Sequence, residues 1–142
     1  MILVDSSVWI KAGRRDGPLE VKIALESLLE AYEACWCSVV KLEVLGWVRA
    51  EKRAKLEFFF STIPYKIVSE PIWESAKKLC WKLRDSGLTV PGNDVLLAAL
   101  AIEQGCRLYS VDHHFVEIAE RIPALMLYKP GYGGQYDPEQ TE

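Results

Sequence analysis

Apolar residues along the chain alternate between short runs bounded by polar positions and longer stretches with a helical period. Ile2 to Val4, Ala34 to Cys37, Tyr65 to Val68, Arg107 to Val111 and Ala124 to Tyr128 are short and apolar or β-branched, which predicts five strands. Between them, Val21, Leu25, Leu28, Leu29 and Tyr32 recur at about 3.6 residues per turn after Gly17-Pro18. Proline fits a first helical turn because an N–H there would have no partner to lose. Ser38 is expected to cap a helix running through Arg49. Leu56, Phe59, Phe60 and Ile63 mark the next stripe, with Glu51–Lys55 and Arg53–Glu57 spaced as ion pairs on its outer side. Pro71 opens a further helix carrying Ile72, Trp73, Ala76, Leu79, Cys80 and Leu83 inward, and Gly87 is placed to close it in a left-handed conformation. Val95 to Ile102 is apolar on nearly every side, so the helix opened by Pro91-Gly92-Asn93 is expected to be deeply buried.

Single strands separated by helices cannot pair as hairpins, so the sheet is expected to be mostly parallel with right-handed crossovers. The reading is a three-layer α/β/α domain with a five-stranded, mostly parallel sheet over residues 1–128, followed by a flexible tail over 129–142. The composition agrees, since 142 residues that are 50% hydrophobic and 26% charged describe one folded domain and exclude a disordered or collagen-like chain. Cys35, Cys37, Cys80 and Cys106 form neither a C-x-x-C pair nor a zinc pattern, and are read as reduced, buried thiols. No basic, apolar signal segment precedes Asp5, and Val95 to Ile102 is far shorter than the ~20 residues that span a bilayer. A cytoplasmic protein with no membrane partner is the expectation. A net charge of −3 argues against strong sequence-independent binding to nucleic acid while leaving room for a local basic groove. Lys11, Arg14 and Arg15, or Arg49, Lys52, Arg53 and Lys55, could border one, although such clusters are commonly solvated faces. The five tryptophans are read mostly as core or interface residues.

In parallel α/β sheets ligands bind beyond the carboxyl ends of the strands, and four acids fall there. Asp5 follows the first strand, Asp112 follows Tyr109-Ser110-Val111, and Asp94 opens the buried helix. Glu43 lies on the helix leaving the second strand, flanked by Val40, Val44 and Trp47. Each aspartate alone has a structural explanation as a cap or turn residue, whereas an acid on an apolar helix face is costly unless its charge is compensated. Carboxylates drawn together repel, so some are protonated or a cation holds them. Oxygen-only donors suit Mg²⁺ or Mn²⁺ rather than Zn²⁺, and such ions commonly join carboxylates to phosphate oxygens.

Four stretches carry a resemblance. Ile2-Leu3-Val4-Asp5-Ser6-Ser7, Ser38-Val39-Val40-Lys41-Leu42-Glu43, Pro91-Gly92-Asn93-Asp94-Val95-Leu96-Leu97-Ala98 and Tyr109-Ser110-Val111-Asp112-His113-His114-Phe115 resemble, in order and spacing, the successive motifs of the PIN domain. A single PIN domain of this length most resembles the VapC-type toxins of prokaryotic toxin–antitoxin pairs. The resemblance implies a metal-dependent endoribonuclease in which Asp5 and Asp94 are the main Mg²⁺ (or Mn²⁺) ligands. Asp112 and Glu43 would complete the site directly or through water, with Ser7, Asn93 and Ser110 as supporting hydrogen-bonders. It also implies an RNA substrate, products with 5′-phosphate and 3′-hydroxyl ends, a homodimer, and an antitoxin whose extended segment covers the acidic cleft. Where many members carry a further acid two residues after the fourth, this chain has His114, which weakens the expectation of a second metal.

Rival readings are a housekeeping RNA-processing nuclease, a noncatalytic scaffold that binds RNA or protein, and an aspartyl-phosphate phosphatase. The last would want an acid at position 7, where Ser7 stands, and the full set of four acids argues against a scaffold. Histidine is the usual acid–base group near neutral pH, but His113 and His114 are read as loop residues with Phe115 as the packing anchor.

Overall fold

The computed structural model describes residues 1–141, with side-chain surroundings through Glu139. Four strands, β1 (Ile2–Val4), β2 (Ala34–Cys37), β3 (Tyr65–Lys66) and β4 (Arg107–Tyr109), form a parallel sheet in the order β3-β2-β1-β4. Register sets Ile2 beside Ala34 on one side and Arg107 on the other. The helices are α1 (Ser6–Gly13), α2 (Leu19–Glu30), α3 (Ser38–Val40), α4 (Ala50–Ser61), α5 (Glu70–Asp85), α6 (Gly92–Gln104) and α7 (His114–Arg121). From β1 the chain steps outward to β2 and β3, then returns past β1 to β4. Right-handed crossovers therefore put α1 to α4 on one face and α5 to α7 on the other. The packing agrees, with α1 against α2 and α6 against both α5 and α7.

The expected fifth strand, Ala124 to Tyr128, is a correction. It is reduced to one bridge, Leu108 to Leu127, held by Leu108 N to Met126 O (2.9 Å) and Tyr128 N to Leu108 O (2.8 Å). Pro123 and Pro130 flank the segment and cannot donate to a ladder, which confines the pairing to its centre. Two helices, α1 and α7, were not foreseen, and His114 begins α7 instead of lying in a loop.

The core forms where expected. Val95 to Ala101 are buried on all sides of α6, and Ile2, Leu3 and Val4 are sealed between the layers. Trp9 and Trp36 bury their rings around Phe60 and satisfy their indole N–H groups on the Val4 and Ile63 carbonyls, both at 3.1 Å. Trp47, Trp73 and Trp81 are exposed, so only part of the tryptophan set is core. Cys35, Cys37 and Cys106 are buried free thiols, and Cys80 is half-buried. Gly87 ends α5 at φ 88°, with Leu88 N reaching back to Leu83 O at 2.9 Å.

Beyond Tyr128 the chain lies against α2, which corrects the reading of a free tail. Tyr136 N donates to Ser27 Oγ at 2.7 Å, and Gly134 sits so close that a Cβ there would lie 2.8 Å from Glu20 O. The last expected tail residue, 142, lies outside the described residues. Among the described residues no helix is long and apolar enough to cross a membrane.

Candidate active site

The direction of chain progression reverses between β1 and β4, and this is where an open parallel sheet leaves a crevice at the carboxyl ends of its strands. Asp5 stands at that point. Its N–H continues the ladder to Tyr109 O at 2.9 Å, and its buried side chain caps α1. Oδ2 accepts from Ser7 Oγ (2.6 Å), Ser110 Oγ (2.8 Å) and Ser7 N (3.3 Å), while among the described residues nothing donates to Oδ1. Ser110 Oγ also accepts from Asp112 N at 2.9 Å, so one hydroxyl couples two of the acids.

Asp112 starts α7. Its Oδ1 accepts from His114 N at 3.0 Å, the turn that an aspartate two residues before an N–H favours. His114 then leans back over the rim, with Nδ1 2.9 Å from Asp94 Oδ2 and 3.2 Å from Asp112 Oδ1. Asp94, in the first turn of α6, is raised from the usual carboxylate range chiefly by burial. Its hydrogen bond to His114 opposes the rise, and the charges of Asp5 and Asp112 add to it.

Glu43 reaches the same rim by a different backbone device. The expected helix from Ser38 to Arg49 is a correction: α3 is a single turn capped by Cys37, and Lys41–Leu45 continue as a wider π turn. Such turns reorient one side chain without breaking the helix and recur at functional sites. Gly46 closes the turn on Leu42 O at 3.1 Å, where a Cβ would lie only 2.4 Å from that oxygen. Trp47 is 89% exposed and does not shield Glu43, contrary to the sequence reading. Much of the Glu43 side chain is open, yet its carboxyl is raised by partial desolvation first, then by Asp5 and Asp94. Ser6 lowers it again from close range, but the buried Ser6 hydroxyl makes no hydrogen bond of standard geometry.

Asp5, Glu43, Asp94 and Asp112 therefore share one electrostatic field, with Ser7 and Ser110 inside it. Asn93 is not brought in; it is exposed, and among the described residues its side chain has no hydrogen-bond partner. Sequence reasoning did not assign a role to Ser6 or to the His114 contact. The only signals were a second serine after Asp5 and a histidine two residues beyond Asp112. Among the described residues, the compact set of three donor atoms lying within 4.8 Å of one another is Asp112, His113 and His114. The donor set nonetheless fits a hard cation. Two carboxyls are held above their ordinary range by desolvation first and then by neighbouring carboxylates, and among the described residues Asp5 Oδ1 has no donor and the Ser6 hydroxyl is orphaned.

Behind α1 lies an apolar groove of about 540 Å³, floored by Trp9, Leu25 and Phe59 and edged by Arg14, Lys52 and Lys55. One residue of the first basic cluster, Arg14, and two of the second, Lys52 and Lys55, thus border one groove. Arg53 turns instead to Val48 O, at 3.0 Å.

Together these features define a parallel α/β domain with an acidic crevice at its switch point. The chain belongs to the PIN domain family, whose model matches residues 2–121. It is 33% identical over 125 residues to VapC ribonuclease Mb1587 of Mycobacterium bovis and to ribonuclease VapC11 of Mycobacterium tuberculosis, covering 84% of this chain and 92% of each relative. VapBC2 from Rickettsia felis, bound to a promoter DNA fragment, matches at TM-score 0.71 and 24% identity over 90% of this chain and 98% of that one. FitAcB from Neisseria gonorrhoeae matches at TM-score 0.71 and 16% identity over 91% and 97%. At these identities the structural matches speak for the fold.

Proposed function

We propose that the protein is a divalent-metal-dependent endoribonuclease and the toxin of a VapBC-type toxin–antitoxin pair. The observation that carries the reading is the gathering of four acids from four separate segments into one field at the sheet's switch point. Asp5 and Asp94 are the main candidates to hold Mg²⁺ or Mn²⁺, with Asp112 and Glu43 acting directly or through water. Such an ion supplies charge neutralisation at the phosphodiester and acidifies a water for in-line attack. Ser7 and Ser110 fix the Asp5 carboxylate through Oδ2 and leave Oδ1 without a donor among the described residues. Glu43, whose carboxyl is raised above its ordinary range, is the group suited to accept a proton from an attacking water. Products are expected to carry 5′-phosphate and 3′-hydroxyl ends.

The relatives named VapC ribonucleases support the substrate class, and the VapBC structures support an antitoxin partner. The apolar groove with its basic edge gives an acidic, amphipathic antitoxin segment a place to lie beside the cleft. Trp73 and Trp81, two turns apart and each more than half exposed on α5, give a homodimer an apolar surface.

The test is cleavage of end-labelled RNA by purified protein with EDTA, Mg²⁺ or Mn²⁺, beside Asp5→Asn, with 5′-end sequencing of the fragments. Cleavage that needs the ion, disappears in Asp5→Asn and leaves ligatable 5′-phosphates supports the reading. Full activity in EDTA or in Asp5→Asn refutes it.

A further inference from the structure

Trp47 is the tryptophan that packing does not account for. Trp9 and Trp36 are buried and spend their indole N–H groups on backbone carbonyls, and Trp81 on α5 has Lys77 Nζ over its ring at 5.1 Å. Trp47 is left 89% exposed, and among the described residues its indole meets no other ring, no cation and no acceptor. Its place is set by the backbone. Gly46 N closes on Leu42 O at 3.1 Å and Val48 N reaches Leu45 O at 3.4 Å, so the chain keeps winding past Glu43 and brings Trp47 four residues beyond it. Residues four apart are neighbours on one side of a helical turn, which stations Trp47 next to an acid of the rim.

Cations follow directly. Arg49, Lys52, Arg53 and Lys55 lie at the start of α4, and the ion pairs that their spacing offers, Glu51–Lys55 and Arg53–Glu57, are not made. Among the described residues none of the four cations is paired with a carboxylate. Arg53 instead donates Nε to Val48 O at 3.0 Å, which holds its guanidinium beside the Trp47–Val48 corner with no acceptor on its terminal nitrogens among the described residues.

We propose that Trp47 is a stacking platform for one unpaired nucleobase beside the scissile phosphate, with Arg53 placed for the adjoining phosphate, so that the protein selects single-stranded sites in RNA. The inference rests on the ribonuclease reading above and deepens it by naming the form of RNA taken. A base inside a duplex has both faces covered, so only an unstacked one can lie on an indole. An isolated ring beside unpaired cations suits a nucleotide, which joins a π-face to a phosphate. A docked protein segment wants a continuous apolar surface, and that surface is the groove behind α1, which Trp47 does not line.

The test uses RNA oligonucleotides that the wild-type protein cleaves, remade with each nucleotide flanking the cut replaced in turn by an abasic ribose. Cleavage efficiency with Mg²⁺ or Mn²⁺, and binding of the fluorophore-labelled oligonucleotides by anisotropy in EDTA, are measured for wild type, Trp47→Ala, Trp47→Phe, Trp47→Leu and Arg53→Gln. Abasic replacement at one position is expected to cost wild type about 5–150-fold and Trp47→Ala less than about threefold, because the two changes remove the same contact. Trp47→Phe is expected to recover most of what Trp47→Ala loses and Trp47→Leu little, since stacking needs a ring. Arg53→Gln is expected to lower the slope of log affinity against log salt by about 0.7, the value for one phosphate of a single strand, and to leave the abasic pattern in place.

A wild type indifferent to abasic replacement at every flanking position would overturn the proposal even if the variants misfold. Equal abasic penalties in wild type and Trp47→Ala, or equal recovery by leucine and phenylalanine, would overturn it as well. Cleavage and binding that Trp47→Ala leaves unchanged would assign the indole to a protein contact and overturn it. A wild type that neither cleaves nor binds the intact oligonucleotides would remove the ribonuclease reading, and this inference with it.

Discussion

Ser110 Oγ donates to Asp5 Oδ2 at 2.8 Å across 105 residues of sequence. The bond joins the ends of two neighbouring strands and, with Ser7 Oγ at 2.6 Å, commits one carboxylate oxygen while the other has no donor among the described residues. Ser110→Ala and Ser7→Ala should each keep the fold and lower RNA cleavage by about 10–100-fold, the range for groups that orient metal ligands. The double variant should lose less than the product of the two, because both act on the same oxygen. Single-turnover cleavage rates beside urea unfolding check this.

Asp5 caps α1 and is the proposed holder of the ion, and substitutions separate the two roles. Asparagine retains a capping oxygen, so Asp5→Asn should lose ion-dependent cleavage with little change in stability. Asp5→Ala should lose cleavage and also about 0.5–2 kcal/mol of stability for the cap. Equal denaturation midpoints for the two variants would contradict the division.

Glu43 and Asp94 lie above their ordinary values of 4.5 and 3.8. The folded protein therefore keeps protons that the unfolded chain releases. Stability from these groups is present below about pH 4 and is lost as pH rises through the raised folded values. In EDTA at pH 7, Glu43→Gln should melt higher than wild type, and the gap should close on acidification toward pH 4. Melting curves against pH for the two proteins test it, and a lower melting temperature for Glu43→Gln at pH 7 would count against the shared field.

Adding the ion should reverse that order. A cation that binds only the folded state adds about 2.7 kcal/mol at 100 times its dissociation constant. Wild type should therefore gain melting temperature with Mn²⁺, while Asp5→Asn and Glu43→Gln gain less.

Gly46→Ala tests the π turn. A Cβ 2.4 Å from Leu42 O must push the turn apart, so the variant should lose about 1–3 kcal/mol and displace Glu43. Cleavage should fall further than Gly87→Ala causes at the end of α5, far from the acids.

Much of the architecture was legible because burial imposes pattern. The Ile2 to Val4 and Ala34 to Cys37 runs became strands with those bounds, and the all-apolar stretch after Val95 became the central helix. The four acids were legible because strand ends and helix starts are punctuated in sequence, and parallel topology converts those points into one rim. What escaped depended on local geometry without a periodic signal. Asp5 and Ser6-Ser7 hid the start of α1, since a cap and a loop use the same residues. The π turn at Lys41–Leu45 has no apolar period of its own, and Gly46 reports it only through a steric contact. The tail was misjudged because glycine-rich composition reads as freedom, although Gly134 is the residue that lets the backbone approach α2.

The sheet order has a consequence for synthesis. Asp5 and its brace at Ser110 stand 105 residues apart, so the first is made long before β4 can slot beside β1. A growing chain therefore carries an unbraced Asp5, and the acids of the rim have no way to meet until the segment that follows α6 has been made and has folded back onto the sheet.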